Sequence, residues 1–371
     1  MLAQPPLWLV LIAFVCAIGP LVFFHELGHY LVGKLFGVGA ESFSIGFGGE
    51  IAGWTDRSGT RWKIGWLPLG GYVRFVGDEE RTGDAGEGRE SDPRSFAVKP
   101  VWQRFLIVLA GPMTNFILAI LIFAAFFAVW GVPRTPNIVA AIEPGSPAAA
   151  AHLQVGDQIE AVGGWSTPRF DDVLRAVSLR PGEQVDLRVR RGGETFLVRT
   201  TLGTHEEVDR FGQKYRMGRL GFYATGRLER ASPAELLPEA TRTTWALTDT
   251  MVQGLWQIVT GRRSVKDLGG PLKIAQVAGQ QASLGPLEFV QLLALLSINL
   301  GFINLLPVPV LDGGHLLFYT VEAVRRRPMS IQAQEWAFRG GLALLLALLL
   351  FTTVNDLGSF GVWERLGRLI G

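Results

Sequence analysis

The sequence predicts a polytopic α-helical membrane protein: four transmembrane helices, a membrane-associated cytoplasmic β-hairpin loop and one extracytoplasmic α+β domain. Three observations carry this. Of 371 residues, 48% are apolar before the 46 glycines are counted, and only 18% are charged. Ordinary soluble domains reach about 45–50% apolar with glycine included. Mean hydropathy is +0.27, and the apolar residues gather into four long runs. The runs are separated by polar sequence punctuated with glycine. Together these exclude a soluble globular enzyme, a disordered chain and a fibrous one. A net charge of +2 without a long basic run gives no sign of a nucleic-acid partner. The one cysteine, Cys16, lies in an apolar run, so no intramolecular disulfide forms.

A spanning helix needs about 20 mostly apolar residues. Residues 7–24 carry no charge and run into His25, which places the first span within 1–36. The preceding leader has no Lys or Arg and the apolar run is long, unlike a secretory signal peptide. Residues 105–132 are uncharged throughout, giving a second span over 101–132. Residues 289–311 are uncharged between Glu288 and Asp312, giving a third over 287–312. The fourth run, 340–355, is extended by Trp336, Ala337 and Phe338, with Arg339 able to snorkel; span and tail occupy 336–371. Lys and Arg in short loops mark the cytoplasmic side. The stretch 34–104 holds ten of them, and the connection 313–335 holds Arg325, Arg326 and Arg327. Both are expected inside, with both termini and the α+β domain outside.

Within the loop 37–100, short alternating or aromatic runs at 41–47, 60–66 and 71–76, with a turn at Arg57-Ser58-Gly59, predict a small β-meander. The charged, glycine-rich stretch 78–92 predicts a mobile segment. The outer domain, 133–225, opens with a compact pattern over 136–203. Its expected elements are a strand at 138–142, a Glu-Pro-Gly-Ser-Pro turn, a short helix at 148–153, a Gly-Asp-x-Ile strand, a helix at 170–178 and strands at 184–190 and 195–201. Between 226 and 286, Trp245, Met251, Leu255, Trp256 and Val259 recur at helical spacing, as in amphipathic helices lying on a membrane surface.

The chemistry lies in His25-Glu26-Leu27-Gly28-His29, an HExxH motif. Four helical residues advance about 400°, so both imidazoles leave one face a turn apart. Neutral imidazoles suit Zn²⁺, and the glutamate between them can take a proton from the attacking water. Ionisable groups inside a span are costly and usually functional. A catalytic zinc usually has a third protein ligand. His152 and His205 fall in the outer domain, across the membrane from the motif. The end of the third span offers Asn299, Asn304, Pro307, Pro309, Asp312 and His315. There Pro307 and Pro309 delete backbone donors and Gly313-Gly314 relax the chain, so the helix breaks. Irregular backbone at membrane depth is tolerated where it lines a water-filled cavity or is buried in protein. Asp312 is the favoured third ligand and His315 its rival.

The HExxH of the first span and the Asn-x-x-Pro-x-Pro-x-Leu-Asp-Gly-Gly run from Asn304 to Gly314 resemble the site-2 protease family of M50-type zinc intramembrane metalloproteases. Gly111-Pro112-Met113-Thr114-Asn115-Phe116 and Leu69-Gly-Gly-Tyr-Val-Arg74 are similar to its bacterial regulator of sigma-E protease branch. The outer pattern resembles a circularly permuted PDZ domain of the bacterial kind. The resemblance implies Zn²⁺ held by His25, His29 and Asp312, with Glu26 as catalytic acid and base. It also implies substrate contacts at Asn304, Asn299, Pro307 and Pro309, and along the hairpin residues Gly71, Tyr72 and Val73. Implied partners are the lipid bilayer, single-span membrane proteins already trimmed on their outer side (anti-sigma factors, signal-peptide remnants), and a peptide or trimmed ectodomain at the PDZ domain. The implied setting is a bacterial inner membrane with the PDZ domain and both termini periplasmic. The best-known enterobacterial relatives carry two tandem PDZ domains; one is found here. The alternative is a non-catalytic PDZ membrane scaffold, which has no need of a complete HExxH and aspartate set.

Overall fold

The computed structural model describes residues 5–77, 92–208, 214–260, 265 and 269–359. The glycine-rich stretch 78–91 and the tail from 360 onward lie outside the described residues. The chain divides into two units, one holding the membrane-long helices and one centred on 127–236.

In the first unit, α1 (Leu7–Leu35) spans 29 residues, about 44 Å at 1.5 Å per residue. Its buried positions Ala13, Ala17, Leu21, His25 and Gly28 form one stripe, while Leu7, Trp8, Leu11 and Ile12 remain exposed on a face suited to lipid. The strands β1 (Ala40–Thr55) and β2 (Arg61–Phe75) then fold on each other twice. Ser42–Ile45 pair with both Arg61–Ile64 and Gly71–Arg74, and the outer stretch 52–55 pairs with 61–64. The result is the expected meander with one further segment, in which 71–75 is an outer strand, paired with 40–45. Asp56 closes the tip, accepting from the backbone N–H groups of Ser58 and Thr60, the Trp62 indole and the Tyr30 hydroxyl of α1. Hydrogen bonds, first from Trp62 and then from Ser58, hold its carboxyl well below the usual carboxylate range. α2 (Val101–Trp130) follows. A core of Tyr30, Phe43, Phe75, Phe96, Ile107 and Val108 fastens α1, the sheet and α2 together.

The second unit begins with β3 (Val132–Arg134) and β4 (Ala141–Ile142), then α3 (Pro147–Ala150), capped by Ser146. β5 (Gln158–Val162), β6 (Trp165–Ser166), α4 (Phe170–Ser178), β7 (Gln184–Arg191) and β8 (Glu194–Thr201) follow. Their antiparallel sheet runs β6-β5-β7-β8. Along β7 Val185, Leu187 and Val189 are buried while Asp186 and Arg188 point out, the alternation that marked the strand in sequence. Next come β9 (Gly203–Val208), β10 (Lys214–Arg219), β11 (Phe222–Tyr223) and β12 (Arg227–Glu229). β11 pairs back with β4 and β12 with β3, so the domain runs past the expected boundary at 225. The expected strand at 138–142 shortens to β4, because Ile138 instead bridges Gln158.

Buried Asp157 receives both arms of Arg191 at 2.6 and 2.7 Å and the N–H of Gln154. Arg191 foremost holds its carboxyl below the ordinary value. The pair therefore stabilises the fold fully above the unfolded pKa, about 3.9, and the stabilisation is lost as pH falls through the lower folded value. Asp157→Asn is expected to destabilise this domain by about 1–3 kcal/mol at pH 7, with less effect near pH 3, as read by calorimetry of the full chain.

α5 (Pro233–Val259) starts at a Ser232–Glu235 capping box and carries exposed Trp245 and Trp256. The remaining helices are α6 (Pro271–Leu284), α7 (Pro286–Asn304), α8 (Asp312–Arg325) and α9 (Ile331–Ser359). Among the described residues, four helices are long and apolar enough to cross a membrane: α1, α2, α7 and most of α9. α6 does not lie free on a surface: Ala278 packs with Ala13 of α1 and Leu292 of α7. Its first turn donates to Asp356 of α9 through the Gly270 and Lys273 N–H groups, at 3.1 and 3.0 Å. The connection expected over 313–335 is mostly the helix α8.

Candidate metal centre and active site

The helical repeat of α1 brings His25 and His29 together, with their Nε2 atoms 3.3 Å apart. α7 stops at Asn304, and residues 305–311 run without regular structure; Val310 sits at φ 93°, a costly setting for a β-branched residue. Gly313 makes this turn possible, since a Cβ there would overlap the Leu306 carbonyl. The chain re-enters a helix at Asp312, whose Oδ2 lies 3.1 Å from His25 Nε2 and 3.4 Å from His29 Nε2.

These three atoms form a nearly equilateral triangle. Tetrahedral zinc ligands at about 2.0–2.1 Å from the ion stand about 3.3 Å apart, so the spacing fits that ion. Burial agrees: both imidazoles are buried, and Asp312 Oδ2 is shielded from solvent without a hydrogen-bond partner among the described residues. Such an acceptor is costly unless a cation satisfies it. His29 Nδ1–H donates to the Ile107 carbonyl at 2.9 Å. That bond fixes the tautomer whose Nε2 lone pair points into the triangle.

The triangle opens on a cavity of about 820 Å³ lined by Glu26, residues 70–75 of β2, Asn304 and His315 among others. The Glu26 carboxylate accepts the backbone N–H of Val73 on the outer strand of the sheet. Gly71 allows this approach, since an added Cβ would come within 2.7 Å of the Ser44 carbonyl and 2.9 Å of Val22. Gly71, Tyr72, Val73 and Asn304 therefore share one cavity with the HExxH residues. Asn299, Pro307 and Pro309 do not line it. Asn299 lies five residues before Asn304, about 140° around the helix, and Pro309 lies against Gly314 and Gly341 instead. His315 reaches the cavity but stacks among Phe318, Tyr319 and Phe338, outside the three-atom cluster.

One contributor was not assigned a role from sequence. α2 presses on α1 at the motif itself: a Cβ on Gly111 would overlap His29 Nε2, and one on Gly28 would overlap Thr114 Oγ1. Asn115 then stands 3.1 Å from His25 Nδ1. The Gly-Pro-x-x-Asn spacing was the available signal, but nothing local to it reveals what it touches.

Residues 13–348 match peptidase family M50. The chain belongs to that family. Among M50 relatives it is 41% identical over 360 residues to "Putative zinc metalloprotease Atu1380" of Agrobacterium fabrum, covering 94% of this chain and 96% of that one. It is 37% identical over 391 residues to "Metalloprotease MmpA" of Caulobacter vibrioides, covering 97% and 98%. Crystal structures of the PDZ domains of SdrC-like proteins from Listeria monocytogenes and Listeria innocua are similar over 25% and 26% of the chain. They match at 17% and 18% identity with TM-scores of 0.19 and 0.20, covering 87% and 99% of those chains. The M50 protein is thus a zinc-dependent metalloendopeptidase with four membrane-long helices among its described residues, as the resemblance to site-2 proteases implies.

Proposed function

We propose that this M50 peptidase cuts peptide bonds inside the bilayer, in single-span proteins whose outer part another protease has already removed. The observation that carries this reading is the triangle of His25, His29 and Asp312, built where a membrane-long helix meets the broken end of another. His25 Nε2, His29 Nε2 and Asp312 Oδ2 would hold the ion. Zinc bound there supplies a Lewis acid and a water whose pKa is lowered from about 15.7 towards about 7.

The residues of the chain perform the remaining steps. Glu26 takes a proton from the attacking water and returns it to the leaving amine nitrogen. The Val73 amide aims the Glu26 carboxylate. Asn304 donates its side-chain N–H to the developing oxyanion. A helical substrate hides its carbonyls and must unwind, and in hydrocarbon each unpaired backbone group costs several kcal/mol. The edge at 71–75 offers backbone partners, adding the substrate as a strand. One strand then registers the substrate backbone against the base.

The Lys and Arg bias supports an orientation with both termini and the PDZ-like domain on the outer face, which in a bacterial inner membrane is the periplasm. In this reading that domain excludes bulky ectodomains or receives the peptide end left by the first cut. Anti-sigma factors and signal-peptide remnants are the substrates that fit.

The test uses purified full chain with trimmed and untrimmed forms of one single-span substrate. Cleavage is expected for the trimmed form only, is lost on chelation and returns with added zinc. Cleavage that persists in the chelated protein, or in Asp312→Ala, overturns the reading. Asn304→Ala is expected to lower kcat by about 10²–10³ with zinc content unchanged.

A further inference from the structure

We infer that Asn115 is the positioning residue that fixes the tautomer of His25, its side-chain oxygen accepting from Nδ1–H so that the Nε2 lone pair faces the zinc. This rests on the reading of His25, His29 and Asp312 as the metal site. A neutral imidazole carries one N–H. An ion on Nε2 therefore demands the proton on Nδ1, and Nδ1 demands an acceptor. His29 obtains one from a backbone carbonyl of α2. For His25 the group at hydrogen-bond distance is the Asn115 amide, fully buried and 3.1 Å from Nδ1.

The amide nitrogen faces Nδ1, while the amide oxygen is buried without a partner among the described residues. Oxygen and nitrogen exchange places by a half-turn that leaves the shape unchanged. Turned so, the oxygen meets Nδ1–H and the orphaned acceptor is satisfied. The reverse arrangement, with the amide donating to Nδ1, puts the imidazole hydrogen on Nε2 and blocks the ion.

The packing role of Asn115 is separable from this one. Its backbone carbonyl accepts the Ser297 hydroxyl of α7 at 2.7 Å, which anchors α2 without using the amide. Two glycine-mediated approaches, at Gly28 and Gly111, bring α2 close enough for the amide to reach.

The test is zinc affinity of the full chain by chelator competition, in four variants. Asn115→Leu is expected to bind zinc about 10–100-fold more weakly, the usual cost of losing such an outer partner. Asn115→Asp, which can only accept, is expected to hold it at least as tightly as the wild type. Ser297→Ala is expected to leave the affinity unchanged. Wild-type affinity in Asn115→Leu overturns the inference, as does equal weakening in Asn115→Leu and Ser297→Ala. Should Asn115→Leu not be recovered folded, Asn115→Asp decides alone: a tenfold loss there means the amide donates. His25→Ala separates the underlying reading, which fails if that variant keeps zinc, whereas its loss beside an indifferent Asn115 sinks only the present inference.

Discussion

Gly111→Ala is expected to strip zinc from the protein and abolish cleavage, although no residue of the HExxH motif is touched. The added Cβ would occupy the space of His29 Nε2, the atom assigned to the ion. The backbone of α2 cannot retreat cheaply, because Ile107 of the same helix bonds His29 Nδ1 and is fully buried. Overpacking of this kind costs about 1–3 kcal/mol in an ordinary core. Here the ring must turn away, so the loss of affinity should exceed the roughly 10–100-fold typical of outer-partner changes. Gly19→Ala is the control: it lies on the same helix as the histidines, and an added Cβ meets nothing within 4 Å. Chelator competition on the two variants reads the difference directly, and wild-type affinity in Gly111→Ala would count against the packing described.

Glu26→Gln is expected to lower kcat by about 10²–10⁴ while zinc content and KM stay near wild type. Glutamine keeps the shape and can still accept the Val73 N–H, so the sheet edge and its substrate contacts hold. What it cannot do is take a proton. The measurement is single-turnover cleavage of a trimmed substrate by zinc-loaded protein. A parallel fall in zinc content would shift Glu26 from chemistry to metal binding. If the proposed function holds, cells carrying this variant accumulate trimmed membrane stubs relative to wild type, which would also reveal the natural substrates.

Most of the site could be read in the sequence because its parts are local. An i, i+4 pair on a helix needs no tertiary information to converge, and a Pro-x-Pro followed by Asp-Gly-Gly announces a helix that stops and restarts. The helix α4 and the strands β7 and β8 were equally visible, since a period near four or of two writes itself into the sequence. The short strands β9 to β12 left no such trace. β11 and β12 are held by pairing with β4 and β3, far back in the chain, while β9 and β10 pair with each other. Asn299 falls outside the cavity lining because nearness in sequence on a helix is not nearness in direction.

Residue order alone settled the four apolar spans, the one-faced histidine pair and the carboxylate waiting at a broken helix, since each follows from backbone periodicity, hydropathy or a proline's missing donor. Folding decided what faces what: that α2 lies close enough for Asn115 to touch His25, that the Val73 amide holds Glu26, and that Asp312 rather than His315 completes the triangle. Those outcomes depend on helix and strand approaches set by absent side chains at Gly28, Gly71 and Gly111, and a missing atom matters only once a neighbour from elsewhere in the chain occupies its space.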